Sequence, residues 1–482
     1  MNSSKTMELP MNRTLGTALL ASALSLVASC SLSLDWSECD ESRPCPNGGA
    51  CNLGVCADPV GDDTDPQVSD DGIVDVSGVI SADTTWTADT IWRLNGIVYI
   101  DPNVTLTIEP GTTIHGNTGA VLAVERGGFI DARGTAGAPI VFTSAKAPGE
   151  RHAGDWGGIL MLGDATIESG TDQPFEIAAS GSRGRFGGTE DDSSCGTLQY
   201  VRIEYAGISG DGVDEISALE LAACGTNTVI DYVQVHRALD EAVDILGGSV
   251  RLRHLFITLP GVTGIEWAEG WHGNAQFIAI HLGNTGLIGF EVDEALLDPD
   301  EKPEIRPEIF NVSILSSGSL AGQVGIELSA GARGHMHNMI IAGPSFHAVE
   351  VKDVETSANL EAFLIEIAYS LFWSIGEGGD SYFPSVEEET AIEAFDGRDD
   401  DGGFDEDHHF REVMEDNVFG LDPEISNMSS ETNCGWVPQA DLPNIALNPH
   451  TGQGFVEGAR FLGAFQKNLA PWHEGWTTSS LD

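Results

Sequence analysis

Seven short segments share the form apolar–acid–apolar: Leu219-Glu220-Leu221, Val243-Asp244-Ile245, Ile265-Glu266-Trp267, Phe290-Glu291-Val292, Ile326-Glu327-Leu328, Val349-Glu350-Val351 and Ile392-Glu393-Ala394. In an extended strand the flanking residues face one side and the acid faces the other. If the segments stack as successive strands, their carboxylates form a column with a spacing of about 4.8 Å. Acids are 75 of 482 residues, so composition alone does not fill every slot. Carboxylates at that spacing repel and raise one another's pKa unless water or cations screen them. The plain expectation is a solvated acidic face. The sharper one is a divalent-cation site, calcium by its preference for carboxylate oxygens, on Glu220, Asp244, Glu266, Glu291, Glu327 and Glu350.

Three other groups of residues carry possible chemistry. Glu266, Glu269, Trp271 and His272 fall within one short stretch. Glycan hydrolysis would use two carboxylates, Glu266 and Glu269, beside an aromatic platform. Strand parity turns Trp267 inward with Ile265, leaving Trp271 and Glu269 in a turn, with Trp271 and His272 as the candidate glycan-binding residues. His335 and His337 share a strand face as a zinc pair would, but the sequence places no third ligand. Cys195 and Cys224 each open a Cys-Gly-Thr triplet, and stacked coils would bring them within disulfide reach. No Gly-x-Ser-x-Gly elbow, His-Glu-x-x-His helix or phosphate-binding glycine loop is present.

The elements that must position these residues are short strands broken by Gly, Asn, Asp and Pro. Between the acidic segments runs a second series, in which a polar or aromatic residue precedes an apolar-x-apolar triplet. It begins at Tyr200, Tyr232, His254, Phe277, Asn311 and Asn338, at intervals of 32, 22, 23, 34 and 27 residues. Two alternating strand types with a variable repeat of this length describe the coils of a parallel β-helix. No amphipathic helical stretch separates the strands, which excludes a βαβ architecture. The predicted fold is an all-β, right-handed parallel β-helix preceded by a small disulfide-rich segment.

The stretches Gly154-Asp155-Trp156-Gly157-Gly158-Ile159, Leu198-Gln199-Tyr200-Val201-Arg202-Ile203-Glu204-Tyr205-Ala206-Gly207 and Phe461-Leu462-Gly463-Ala464-Phe465, with Trp472 and Gly475-Trp476-Thr477, carry a resemblance. They resemble a family of right-handed β-helix proteins, secreted or surface-attached in Gram-negative bacteria, with no assigned activity. The resemblance spans residues 76–482. Where such proteins often carry an Asp-rich turn, this chain has Gly264-Ile265-Glu266-Trp267-Ala268-Glu269-Gly270-Trp271-His272-Gly273.

The N-terminus reads as an export signal. Arg13 precedes an apolar run from Leu15 to Ala28 that is too short to span a bilayer, and small residues lead to Cys30. This pattern resembles a lipoprotein signal: residues 1–29 removed, lipid on Cys30, and an outer-membrane location at the cell surface or periplasmic face. Cys39, Cys45, Cys51 and Cys56 then read as two disulfides in a knot over residues 30–56. Residues 57–75 form an acidic linker, and residues 76–482 the β-helix with a C-terminal cap around Gly463 to Trp476. The formal charge of −53 excludes nucleic acid as a partner. The expected function is a non-catalytic surface scaffold that binds glycan, matrix or a protein partner, with calcium on its acidic face as the candidate cofactor. The alternative is a polysaccharide lyase or glycoside hydrolase working in a groove of the helix. A lyase needs a base and positive charge near its acidic substrate, which would require Arg202, Arg237, Arg251 or Arg253 beside the acidic column.

Overall fold

The computed structural model describes residues 72–175, 182–208, 215–293, 306–384, 401–449 and 456–481. It also gives the backbone of the short strands Cys51–Asn52, Val55–Cys56 and Gln67–Val68. Cys30, Cys39, Cys45, Glu393 and the side chains of Cys51 and Cys56 lie outside the described residues. Within the unit that ends at Asp62, Cys51–Asn52 and Val55–Cys56 pair antiparallel.

The unit from Asp63 onward is the predicted all-β, right-handed parallel β-helix. The acidic strands stack in parallel from Leu219–Ala222 through Val243–Leu246, Thr263–Ala268, Ile288–Asp293 and Val324–Ser329 to His347–Val351. The companion strands stack likewise, from Gly196–Glu204 through Val229–His236, Arg251–Thr258 and Asn274–Gly283 to Glu308–Ser316. Their inward residues, such as Leu221, Ile245, Trp267, Phe290 and Leu328, merge into one continuous apolar core.

The residue that opens each companion triplet makes a corner. Tyr200, Tyr232, His254, Phe277, Asn311 and Asn338 all sit at φ between 49 and 61°, a left-handed conformation that costs a non-glycine residue roughly 1–2 kcal/mol. Stacking offsets the cost. Ring centroids lie 4.4 Å apart for Tyr200 and Tyr232, 4.1 Å for Tyr232 and His254, and 5.0 Å for His254 and Phe277. A second ladder pins the acidic strands. A Cβ on Gly264 would lie 2.6 Å from the Gly289 carbonyl oxygen, and one on Gly289 would lie 2.4 Å from that of Gly325.

The two ends are protected by different devices, and the far one is not covered by the segment the sequence suggested. Gln67–Val68 pairs antiparallel with Val74 and Asp75 of the first parallel strand, covering its edge. Phe383, Phe410 and Met414 pack onto the far end of the core. The stretch from Gly463 to Trp476 does not cap that end. It runs over the outer face of the companion strands, where Phe465 and Trp472 join Phe256, Leu315 and Ile340 in a separate apolar cluster. The reason is the composition of that face: Phe256, Ala279 and Ile340 point outward and need cover.

Candidate functional site

The acidic column forms in the expected register. Glu220 is paired with Asp244, Asp244 with Glu266, Glu266 with Glu291, Glu291 with Glu327, and Glu327 with Glu350. Before Glu220 the same column turns apolar, running back through Leu160 and Ala123 to Tyr99. These residues nucleate a cluster outside the main core with Ile167, Phe175 and Phe186.

That cluster changes the character of the site. The segment leaving Gly163 returns as a small antiparallel hairpin, Gln173–Pro174 with Arg185–Phe186. Phe175 and Phe186 meet edge to face at 6.4 Å. Together they overhang the start of the column and line one side of an open cavity of about 320 Å³ shared with Glu220, Asp244, Glu266, Glu241 and Glu215. The expected solvated face is therefore absent at this end: Glu220 is only 2% exposed. Sequence reading missed the roof because Phe175 and Phe186 belong to no repeat.

Burial dominates the protonation of the column at its roofed end. Burial pushes the Glu220 carboxyl up to about 8, and Glu266 up to about 9 with help from Asp244 and Glu291. Asp244 is raised by burial and by the neighbouring Glu220 carboxyl. Glu241 rises to about 8 through burial and Asp240. One oxygen each of Glu220 and Asp244 is buried with no hydrogen-bond donor among the described residues. Further along, Thr263 Oγ1 donates to Glu291 at 2.7 Å, while burial still raises that acid. Glu327 rises to about 7 by burial, against the pull of Lys352. At Glu350 the order reverses: burial opposes ionisation, but His347 and Lys352, the latter at 2.7 Å, lower its pKa. The column thus grades from protonated under the roof to ionised at its far end.

Oxygens of Glu215, Asp240 and Glu241 also lie within 4.8 Å of one another beside the cavity. Hard oxygen donors at this density suit calcium, which takes six to eight of them, better than a thiophilic or nitrogen-preferring metal.

The other sequence candidates are placed elsewhere. Trp271 is 1% exposed; its indole N–H donates to the Val250 carbonyl at 3.0 Å, and its ring packs edge-on against Trp267. It is core, because the turn folds inward where a platform would need to face solvent. Glu269 does not face the cavity as an acid partner for Glu266; its Oε2 accepts from the Ser169 amide at 2.8 Å and so ties down the roof segment. His272 supports the same segment from below, 3.5 Å from Asp191, whose other oxygen accepts from the Thr166 amide. Cys195 and Cys224 form the expected disulfide, with Cα atoms 5.7 Å apart.

The arginines that a lyase would need beside the column are on the companion side. Arg202 pairs with Glu204 at 3.0 Å, Arg253 reaches Asp231 and Glu457, and Arg237 donates to the Leu481 carbonyl. Arg251 lies on the same companion strand as Arg253.

No curated protein and no solved structure matches the chain. A family model described as a pectate-lyase like beta helix domain matches residues 78–403, a span that holds the roof, the cavity and the six-acid column. With well over half of its length matched, the chain belongs to the family of pectate-lyase-like β-helix domains.

Proposed function

We propose that this chain is a polysaccharide- or partner-binding β-helix scaffold whose acidic column takes up calcium, displayed at the outer membrane through lipid on Cys30. The observation that carries the cation reading is the pair Glu220 and Asp244, buried with donor-free oxygens in a cavity lined by three more acids. Burying anions is costly unless protons or cations neutralise them. Calcium would replace the protons and bridge the Glu215, Asp240 and Glu241 oxygens to the column. The far end, where Glu350 is ionised beside Lys352, then offers a charged surface to hydroxyl-rich or basic partners.

Calorimetric titration with calcium near pH 8 tests this. Binding should release protons, so the measured heat should change with the ionisation enthalpy of the buffer, and native-state binding must raise the melting temperature. An absence of both heat and melting shift would overturn the proposal. A carbohydrate and surface-protein panel, run with and without calcium, then identifies the partner class.

Glycoside hydrolysis is the second reading. The cavity has room for about one sugar ring, near the lower bound of ligand pockets. Glu220 and Glu266 stand two rungs apart, about 9.6 Å along the column, close to the separation of an inverting pair. That chemistry needs one protonated and one ionised carboxyl, and both of these are raised to about 8 or 9. Binding is therefore better supported at neutral pH than turnover, and release of reducing ends from a neutral glycan would reverse the ranking.

A further inference from the structure

We infer that His335, His337, Glu308 and Glu366 form a second metal site, selective for zinc-class cations and independent of the acidic column. Two histidines alternate on the strand Gly334–His337, so both face outward from the core, while Met336 between them is fully buried. The adjacent coils supply the ligands that the sequence does not place. Glu308 is in register with His335 on one side and Glu366 on the other. His337 is flanked in register by Phe310 and by the small Ala368, which leaves the Glu366 side open.

Three pairs among the four groups come close to ligand spacing. His335 Nδ1 lies 3.4 Å from Glu308 Oε1 and 3.7 Å from Glu366 Oε2, and His337 Nε2 lies 3.6 Å from the same Glu366 oxygen. Ligand atoms around a tetrahedral zinc with bonds of ~2.0–2.1 Å sit roughly 3.3–3.4 Å apart. These three contacts lie within a few tenths of an ångström of that spacing, and the remaining pairs must close further by side-chain rotation for Glu308, His335, Glu366 and His337 to share one ion. The histidines lack competing partners: both ring nitrogens of His337 and Nε2 of His335 are buried with no hydrogen-bond partner. His337 is 4% exposed, whereas the carboxylate side chains keep 34% and 28% of their surface, giving a cation a path in. Two imidazoles and two carboxylates match a borderline cation such as zinc, while calcium avoids nitrogen.

Zinc and calcium titrated separately into the full chain distinguish the two sites. One zinc per chain should bind with a raised melting temperature, and cobalt should give the visible absorption of a tetrahedral nitrogen–oxygen site. His337→Gln should weaken zinc at least tenfold and leave calcium heats unchanged. Because His337 is buried, His335→Gln at the rim serves as a second variant less disturbing to the fold. Glu220→Gln should do the converse, abolishing calcium heats and sparing zinc. Absence of zinc binding in the wild type, or unchanged zinc affinity in both histidine variants, would overturn this site without touching the acidic column.

Discussion

Glu220 and Asp244 occupy the same position on adjacent coils, close enough for their carboxyls to share a proton, and no side-chain cation among the described residues counters the burial of either. A carboxyl with a raised folded-state pKa keeps its proton after the unfolded chain has lost its own. The native state then binds more protons between about pH 4 and pH 9, and stability falls as pH climbs through that window. For Glu220 the fall runs from its ordinary 4.5 to about 8. Glu220→Gln preserves shape and removes one ionisation. Its melting temperature should match the wild type near pH 4 and exceed it near pH 9, and calcium should rescue only the wild type. Equal pH slopes in the two proteins would show that the pair is not the source.

The roof predicts a second result. Phe175 and Phe186 desolvate Glu220, and desolvation is the largest contribution to its raised pKa. Phe186→Ala should admit water, bring the Glu220 titration down toward the ordinary carboxyl range, and shift the pH dependence of stability with it. Calcium should then bind at lower pH, since fewer protons must be displaced. The substitution also removes buried aromatic packing, a cost of about 3–5 kcal/mol. The informative measurement is therefore the carboxyl titration itself, by NMR or infrared difference spectra. A titration unmoved by the substitution would remove the roof from the explanation.

The acidic column was legible in the sequence because strand parity is strict: apolar neighbours on both sides of an acid fix which way the acid points. Its register was also encoded, in a glycine two residues before Glu266, Glu291 and Glu327, a repeat that becomes meaningful only when coils are stacked. The roof, the buried state of Trp271 and the course of the C-terminal segment were not legible. Each depends on contacts between residues far apart in sequence, such as Ser169 with Glu269, and no local period reports those. The same holds for Glu308 and Glu366: nothing near His335 in sequence announces them.

The glycine ladder gives the third prediction. Gly289→Ala would force its methyl group against the Gly325 carbonyl oxygen, 2.4 Å away, and toward Ile314. Adjacent coils would have to separate at that rung, costing about 1–3 kcal/mol as an overpacking strain. The loss should appear as a lower denaturant midpoint and as faster amide exchange in Ile288–Asp293 and Val324–Ser329. A neutral effect would mean that the acidic strands tolerate slippage and that their register is held elsewhere.

The C-terminal segment holds to the companion face through buried amides and ring edges, which makes it separable from the column by mutation. Gln234 donates to the Thr478 carbonyl at 2.7 Å and accepts from the Thr478 amide at 2.8 Å. Gln276 makes the same two-way bond with Glu457, at 3.0 and 2.8 Å. Trp476 closes edge-on over Tyr200 and Tyr232. Replacing Gln276 by Leu keeps the volume but removes both hydrogen bonds to the exposed Glu457 backbone, where water can take over, so each lost bond costs about 0.5–1.5 kcal/mol. The segment should loosen locally, read as new protease cleavage between residues 440 and 470, while calcium and zinc heats stay at wild-type values. Loss of either metal along with the segment would instead tie the companion face to the sites, and the two faces would have to be treated as one binding surface.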